Sequence, residues 1–378
     1  MDPCERLLRE LIALPSVNPA FLPPGDPRAG EEKVAGFLLA HAAAGGLDVE
    51  LRPVCPNRPN LIARLAPAGP VRQRVALVPH TDTVGEAAMS DTLFHPVLKQ
   101  GRIYGRGACD TKGSAAAMLT ALLELAKHGP RPLHTEILFV AVVDEERGQL
   151  GSRTLVRERF HADLAIVGEP TRLQVVTAHK GVLWFKLETR GRAAHGARPE
   201  LGQNAVYQMA KVVECLATEY VPSLSDRRHP LLGQPTLNVG AIQGGRQPNI
   251  VPDRCVISLD RRTLPGETNR AVLGEIQSLL RRRGLAAHLL PPGTEPSLPL
   301  ATDPQHPLVR RLLDAAGQRG PAGAVFFSDA SILAHGGTPS VLFGPGDIAQ
   351  AHTAREYLSV RSLQQATRML RRFLESLP

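Results

Sequence analysis

Cysteine is scarce in this 378-residue sequence, and its five cysteines are scattered and never spaced as Cys-x-x-Cys. This pattern argues against a disulfide framework and favours a reducing, cytoplasmic compartment. Long apolar runs are also missing, because none approaches the roughly 20 residues that a membrane-spanning helix needs. The first residues do not show the charged-then-apolar pattern of an export signal. We therefore expect neither export nor a membrane partner.

Aromatic residues make up only 4% of the chain, although its formal net charge is +8. The positive surplus is mostly arginine and is spread along the sequence. Its densest run, residues 281–283, lies at the end of a predicted helix, where cations interact favourably with the helix dipole. No basic stripe is interleaved with aromatic residues. We therefore expect no nucleic-acid partner, while the basic balance favours anionic small substrates.

The length of the chain exceeds what one ordinary hydrophobic core can organise, so two domains are expected. Hydrophobic residues account for 43% of the sequence, and strand-like runs alternate with helix-like segments. This composition is typical of an α/β protein.

Several apolar runs, predicted to be buried strands, stop at histidine or carboxylate residues. The pairs of run and polar residue are 75–79 with His80 and Asp82, 137–143 with Glu145 and Glu146, 164–167 with Glu169, and 340–343 with a loop leading to His352. A glycine-rich loop, residues 105–113, adds Asp110. In open α/β sheets, ligands bind where the strands end at their carboxyl edge. Because imidazoles and carboxylates together suit zinc and similar divalent ions, the pattern predicts a site for two metal ions.

Each of these residues also has a simpler explanation. A single carboxylate is most often a helix cap or a solvated loop residue, and residues 144–146 could be a helix N-terminus favoured by its dipole. His80 alone could be a buried, hydrogen-bonded histidine. The loop 105–113 could cradle a phosphate, but its spacing matches neither the Walker pattern nor the dinucleotide fingerprint. Cys109 is interpreted as a small buried residue rather than a soft metal ligand.

The order of predicted strands and helices changes near residue 177. Residues 178–291 follow the order β-α-β-β-α-β, which is the split βαβ arrangement of ferredoxin-like domains. A proline-rich stretch follows, and α/β character then resumes to the end of the chain. The predicted organisation is a catalytic metal-binding domain made of residues 1–177 and 292–378, with residues 178–291 inserted into it.

Motifs along nearly the whole chain resemble those of the M20 family of metal-dependent amidohydrolases. The stretches are PHTDTVG (79–85), GRGACDTKG (105–113), VDEERG (143–148), GEPT (168–171), GGRQPNIVPD (244–253) and GPGDIAQAHTAREYL (344–358). Each stretch is modestly specific, but all of them occur in the order that the family shows. The resemblance implies a zinc-peptidase-like α/β domain with a mixed, largely parallel sheet, and an inserted ferredoxin-like lid that also makes a homodimer.

The resemblance further implies a site for two zinc ions, with cobalt or manganese as alternatives. His80 and Glu169 would bind one ion, Glu146 and His352 the other, and Asp110 would bridge them. Asp82 would orient His80 through a hydrogen bond. Glu145 would be the general base that acts on the attacking water. The peptide bond after the bridging aspartate, Asp110–Thr111, is expected to be cis.

The lid contributes further residues by the same resemblance. His195 would polarise the scissile carbonyl, while Asn249 and Arg262 would bind the carboxylate of the substrate. The planar fork of arginine suits that contact, although Arg262 could equally be a surface residue at a strand end. Many members of the family carry Trp after the first motif, and Met is common after the bridging aspartate, whereas this chain has Leu93-Phe94 in the first region and Thr111 at the second position. These departures bear on specificity.

The function expected from the resemblance is hydrolysis of the amide bond of N-acyl amino acids, of the acetylornithine or succinyl-diaminopimelate type. A dipeptidase or carboxypeptidase that cleaves short peptides is the alternative within the same class. A non-catalytic metal-binding or assembly protein is the alternative outside it. Glu145 argues against the latter, because a binder needs no base.

Overall fold

The computed structural model describes residues 1–85, 88–291, 295 and 297–378. The strands are β1 Asp48–Cys55, β2 Arg58–Leu65, β3 Gln73–Pro79, β4 Val97–Lys99, β5 Arg102–Tyr104, β6 Thr135–Ala141, β7 Leu164–Gly168, β8 Val176–His179, β9 Gly181–Arg190, β10 Thr236–Gly244, β11 Arg254–Thr263, β12 His288–Leu289, β13 Leu300–Ala301, β14 Ala322–Ala324, β15 Ser340–Leu342 and β16 Tyr357–Ser359. The helices are α1 Pro3–Ile12, α2 Glu32–Ala44, α3 Lys112–His128, α4 Leu150–Arg157, α5 Ala205–Cys215, α6 Val221–Ser223, α7 Asn269–Arg282, α8 Pro307–Ala316, α9 Asp329–His335 and α10 Val360–Glu375.

The main sheet has the strand order β1-β2-β6-β3-β7-β15-β8-β13, with β14 also pairing with β8. Strands β6, β3, β7 and β15 run parallel to their neighbours in this series, while β1, β2 and β8 pair antiparallel. The central strands are apolar along most of their length, as expected for strands covered on both faces. The predicted α/β fold with a mixed sheet is confirmed.

The main hydrophobic core packs helices against this sheet. Helix α3 is buried over most of its length and packs against α1 and α10. Leu119 and Leu122 of α3 are buried together with Phe139 of β6 and Phe373 of α10 in one cluster. The central strands are thereby fixed, and so are the positions where they end.

A second core lies within residues 178–300. Its antiparallel sheet has the order β10-β11-β9-β12. Residues of α5 and α7, among them Val212 and Ile276, are buried in one cluster with Phe185 of β9 and Ile257 of β11. The element order β9-α5-β10-β11-α7-β12 follows the predicted β-α-β-β-α-β pattern, with the short α6 added after α5.

The chain divides into two compact units. Unit 1 comprises Met1–Thr177, Ala301–Gly323 and Ser328–Pro378, and unit 2 comprises Ala178–Leu300 and Ala324–Phe327. Unit 2 thus extends past residue 291, the predicted end of the inserted domain. Within the described residues, every helix is too short or too polar to cross a membrane.

Three helices escaped the sequence analysis, namely α4, α6 and α9. Helices α4 and α9 are short, with eight and seven residues, so each offers few turns in which an apolar periodicity could be recognised. They pack against each other in unit 1.

Candidate metal centre

The predicted ligands follow the carboxyl ends of adjacent parallel strands. His80 comes directly after β3, and Glu169 directly after β7, which pairs with β3 in parallel. His80 also forms a bridge with Val142, the residue after β6. Because neighbouring parallel strands end at the same edge, these segments deliver their side chains to one place.

Two groups of side chains in unit 1 have the composition and spacing of metal sites. The first is His80, Asp110 and Glu169, and the second is Asp110, Glu146 and His352. Within each group the potential ligand atoms lie within 4.8 Å of one another. All five predicted ligands are therefore brought together, and Asp110 is common to both groups.

The two oxygen atoms of Asp110 face different histidines. Its Oδ1 lies 3.1 Å from Nε2 of His80, and its Oδ2 lies 3.3 Å from Nε2 of His352. Nε2 of His352 is also 3.2 Å from Oε2 of Glu146. A carboxylate that presents one oxygen to each group is suited to be shared by two cations.

Hydrogen bonding leaves ligand atoms available for these cations. Oε1 of Glu146 and Oε1 of Glu169 are buried and have no hydrogen-bond partner among the described residues. Buried carboxylate oxygens without partners are costly unless a cation or donor satisfies them. The donor set of imidazoles and carboxylates therefore fits two divalent ions.

The charges of the site support the same conclusion. Burial, together with the charge of Asp110, raises the pKa of Glu146 to about 7. Burial and neighbouring carboxylates raise the pKa of Glu145 and of Glu169 well above its usual range. The hydrogen bonds to Asp110 and Glu146 raise the pKa of His352 to about 10. So many carboxyl groups share one buried space that their ionised forms need added positive charge.

The main chain fixes the tautomer of His80. Nδ1 of His80 lies 3.0 Å from the backbone oxygen of Asp82 and 3.5 Å from its Oδ1. A carbonyl oxygen only accepts, so Nδ1 donates a proton to it. In the neutral, cation-binding form of the ring, the lone pair would then be on Nε2, which lies 3.1 Å from Oδ1 of Asp110. The prediction assigned this role to the carboxylate of Asp82, whereas its backbone oxygen is the nearer partner.

The carboxylate of Asp82 instead holds the turn that carries Glu145 and Glu146. Its Oδ1 accepts a hydrogen bond from the backbone N–H of Glu145 at 3.0 Å, and its Oδ2 accepts one from that of Glu146 at 3.1 Å. Glu145 is buried beside the metal-ligand groups, only 6% exposed. The backbone of both Glu145 and Glu146 is thus held by the carboxylate of Asp82. The Asp110–Thr111 peptide is cis, as predicted.

A buried polar network behind Asp82 was not found from the sequence. Nδ2 of Asn18 donates to Asp82 at 2.8 Å and to Asp144 at 2.9 Å. Arg58 donates to the same oxygen of Asp144 at 2.9 Å and pairs with Glu31 through both oxygens of that carboxylate. These partners are far apart in the sequence, and only the side-chain contacts identify them.

Two further buried acids also escaped prediction. Asp329 of α9 contacts Oγ of Ser152 in α4 at 2.6 Å, and its Oδ2 has no hydrogen-bond partner among the described residues. Glu356 binds the loop that carries Asp110. The sequence signal for Glu356 is its place in the motif of residues 344–358, four residues after His352.

The predicted lid residues lie in unit 2. His195 forms an isolated bridge with Ile250, and the N–H of Gly196 donates to the backbone oxygen of Asn249 at 2.7 Å, so His195 and Asn249 lie on paired segments. The N–H of Ala197 donates to Nδ1 of His195 at 3.1 Å. A neutral His195 therefore carries its proton on Nε2, where it could donate to a carbonyl oxygen.

Arg262 already has a partner within unit 2. Its Nε and Nη2 donate to the two carboxylate oxygens of Asp260 at 2.9 and 3.0 Å. Its neighbour Arg261 is fully buried and pairs with Glu267 at 2.6 Å. A substrate carboxylate would therefore share Arg262 with Asp260 or displace it.

Comparisons with known proteins identify a family model and relatives that match most of this chain. The model of peptidase family M20/M25/M40 matches residues 76–376. An acetylornithine deacetylase of Myxococcus xanthus is 34% identical to this chain, with 83% of this chain and 82% of the relative covered. An acetylornithine deacetylase of Edwardsiella ictaluri is 32% identical, covering 93% of this chain and 92% of that protein.

Solved structures with similar folds include peptidases. A tripeptidase of Staphylococcus aureus superposes with a TM-score of 0.78 at 21% identity, covering 99% of this chain and 97% of the other. A dinuclear metal-binding peptidase of the M20 family from Bacillus subtilis gives a TM-score of 0.71 at 13% identity, covering 98% and 96%. At these identities the likeness shows a common fold.

Proposed function

Because this chain belongs to peptidase family M20/M25/M40 and is a hydrolase of that family, we propose that it is a two-metal deacylase that hydrolyses the amide bond of N-acetylornithine. The observation that carries the two-metal site is the carboxylate of Asp110, which presents Oδ1 to His80 and Oδ2 to His352. The substrate class is supported by relatives named acetylornithine deacetylase, which are similar over most of the chain. Zinc fits the donor set, and cobalt or manganese are the alternatives.

In the proposed mechanism the chain holds the reactants and moves one proton. His80 and Glu169 would hold one ion, Glu146 and His352 the other, and Asp110 both. Two bound divalent ions polarise a carbonyl and lower the pKa of water from about 15.7 to roughly 7. Glu145 takes the proton of the attacking water as oxygen bonds to the amide carbon. As the C–N bond breaks, Glu145 returns that proton to the leaving amine.

His195, Asn249 and Arg262 are the residues that we propose for recognition of the rest of the substrate. The Nε2–H of His195 is assigned to the oxygen of the scissile carbonyl, where it would stabilise developing negative charge. Asn249 and Arg262 are assigned to the free carboxylate of the amino acid. Asn249 lies on the segment paired with that of His195, which supports a common role for them.

We also propose that the protein is a cytoplasmic homodimer that pairs through unit 2. All five cysteines are free, which suits a reducing compartment. Strand β10 is an edge of its sheet and exposes Ile242, and Tyr207 of α5 is 71% exposed. Exposed edges and large exposed apolar side chains are suited to self-association. Sedimentation analysis that found only monomers at micromolar concentration would contradict the dimer.

The experiment is a substrate panel with metal removal. The purified protein, loaded with zinc, cobalt or manganese, is assayed with N-acetylornithine, N-succinyl-diaminopimelate, other acetylated amino acids, dipeptides and tripeptides. We expect the highest kcat/KM with N-acetylornithine. Chelation should abolish turnover, and added metal should restore it. Faster turnover of peptides would establish the peptidase alternative, and no chelator-sensitive hydrolysis of any substrate would favour a binding protein.

Glu145→Gln separates the base from the metal ligands. It should retain two metal ions per chain while kcat falls by about 10²–10⁴-fold, the usual contribution of a general base. Glu158→Gln, at an exposed position after α4, is the matched control and should keep full activity. Unchanged kcat in Glu145→Gln would remove Glu145 from the mechanism.

A further inference from the structure

Glu356 is a buried carboxylate, 2% exposed, that directs all of its side-chain hydrogen bonds to one loop. Its Oε1 accepts the backbone N–H of Cys109 at 2.9 Å and that of Asp110 at 3.0 Å. Its Oε2 accepts the backbone N–H of Gly107 at 3.0 Å and Nη1 of Arg106 at 2.9 Å. One carboxylate therefore satisfies three backbone donors and one guanidinium donor.

The loop that these bonds organise carries the shared ligand of the metal centre. Residues 105–111 form turns without a regular helix or strand, so neighbouring strands do not fix their backbone. The backbone oxygen of Glu356 also accepts the N–H of Gly105 at 3.1 Å. Glu356 thus contacts the loop from its start to Asp110, whose two oxygens must face two different histidines.

Glu356 is also close in the sequence to His352, a predicted metal ligand. His352 lies four residues before Glu356, in the same segment between the 3₁₀ helix Ile348–Gln350 and β16. The side chain of Glu356 therefore links the segment that carries His352 to the loop that carries Asp110. Both of these ligands belong to the group Asp110, Glu146 and His352. In the other group, only Asp110 is carried by the loop that Glu356 contacts, whereas His80 and Glu169 follow β3 and β7.

From this connection we propose that Glu356 is a positioning residue that assembles the Asp110–Glu146–His352 metal position and has a smaller effect on the His80–Asp110–Glu169 position. The proposal rests on the two-metal centre of the proposed function. Glu356 belongs to neither group of potential ligands, and it would act through the backbone of residues 107–110. Its effect therefore appears as a difference in affinity between the two metal positions.

Substitution by glutamine tests the role of the second carboxylate oxygen. A carboxamide has one accepting oxygen, and its NH₂ group would face donors in either orientation. The pair Cys109 and Asp110, or the pair Arg106 and Gly107, would lose its acceptor. Partners that orient metal ligands typically change metal affinity by about 10–100-fold when they are removed. We expect a loss of that size in Glu356→Gln at one of the two positions.

The experiment is a titration of the metal-free full-length protein with Co²⁺, followed by visible absorption and calorimetry, without substrate. The wild type should bind two ions, and His352→Ala identifies the step that belongs to the Asp110–Glu146–His352 position. In Glu356→Gln this step should weaken by about 10–100-fold, while the other step should change by less than about threefold. Arg106→Gln, which leaves the bonds to Cys109 and Asp110 intact, should have a smaller effect.

Controls distinguish positioning from general stability. Glu375→Gln removes a carboxylate that pairs with Arg371 on the surface of α10, and both steps should remain as in the wild type. If Glu356→Gln does not fold, Glu356→Asp, which keeps the charge but shortens the reach, should weaken the same step. Wild-type affinities in these variants, or equal losses at both positions, would overturn the role of Glu356. A wild type that binds fewer than two ions would instead overturn the proposed metal centre.

Discussion

The two units differ in whether their clustered charged residues are all paired. Unit 1 buries carboxylates together at the ends of its central strands, and oxygens of Glu146 and Glu169 have no hydrogen-bond partner among the described residues. Unit 2 instead pairs its prominent arginines with its own acids, as Arg262 does with Asp260 at 2.9 Å and Arg190 with Glu188 at 2.7 Å. An uncompensated buried cluster requires a ligand of opposite charge, whereas a compensated surface pair does not.

This difference explains why the metal ions can be inferred from one unit alone. The five predicted ligands of unit 1 make two groups of the correct composition, and their electrostatic imbalance has the sign that cations would relieve. In unit 2, the geometry of His195 and Arg262 is compatible with substrate binding, but it is also satisfied without substrate. Variants that disturb each kind of site should therefore differ in what they change.

The largest effect is expected for Asp110→Ala in unit 1. Removal of the shared carboxylate takes a ligand from both groups, so both metal positions should lose occupancy. Loss of the metal contribution to the transition state, several kcal/mol, corresponds to a fall in kcat/KM on the order of 10³-fold or more. Metal analysis and turnover measurements check both expectations, with Asp314→Ala at an exposed position of α8 as the control. Two ions retained at full occupancy would contradict the sharing of Asp110.

A smaller effect, confined to substrate binding, is expected for Arg262→Ala in unit 2. Hydrogen bonds to charged groups contribute about 1.5–3 kcal/mol, so KM for acylated amino acids should rise by roughly 10–100-fold. Metal content should not change. Steady-state kinetics on a substrate with a free carboxylate and on its carboxamide should show the rise in KM only for the former.

Asp260→Asn is the paired variant, because it weakens the competing partner of Arg262. If Arg262 binds the substrate, KM in Asp260→Asn should stay the same or fall. An unchanged KM in Arg262→Ala would return Arg262 to a purely structural role in the surface pair with Asp260.

The smallest effect is expected for Asp329→Asn, which concerns the stability of unit 1 without metal. Burial, opposed by the hydrogen bond with Ser152, raises the pKa of Asp329 to about 6. The folded protein then binds more protons than the unfolded chain between the unfolded pKa, roughly 3.9, and that value. Stability from this group is therefore present below the lower pKa and is lost as the pH rises toward 6.

Because asparagine does not titrate, the variant should gain stability relative to the wild type as the pH rises from 4.5 to 8. The expected gain in the free energy of unfolding is on the order of 1–3 kcal/mol. Urea unfolding in the presence of a chelator measures it, and Asp314→Asn is the matched control. A wild-type-like pH dependence in Asp329→Asn would show that this carboxyl group is not the cause.

Much of the candidate metal centre in unit 1 was predictable because the predicted metal ligands follow strands. One apolar run ends at His80 and another ends just before Glu169. Each run predicts a strand, and the predicted ligand follows it almost directly in the sequence. The residues that hydrogen-bond to the segments carrying these ligands could not be predicted in this way. Asn18 reaches Asp144 across 126 positions of the chain, and Glu356 reaches Asp110 across 246. No periodicity links such distant residues, because their contact is created by the packing of the elements between them.

From the amino-acid sequence alone we could predict the strand ends, the ligand types at those ends, the β-α-β-β-α-β order of the inserted segment and the family. These follow from local patterns, since side-chain periodicity and turn residues act within a few positions. The folded structure was needed to show that Asp110 faces two histidines, that the backbone oxygen of Asp82 contacts Nδ1 of His80, and that Glu356 hydrogen-bonds to the Asp110 loop. Those features depend on hydrogen bonds between distant segments, whose geometry is set when the core packs.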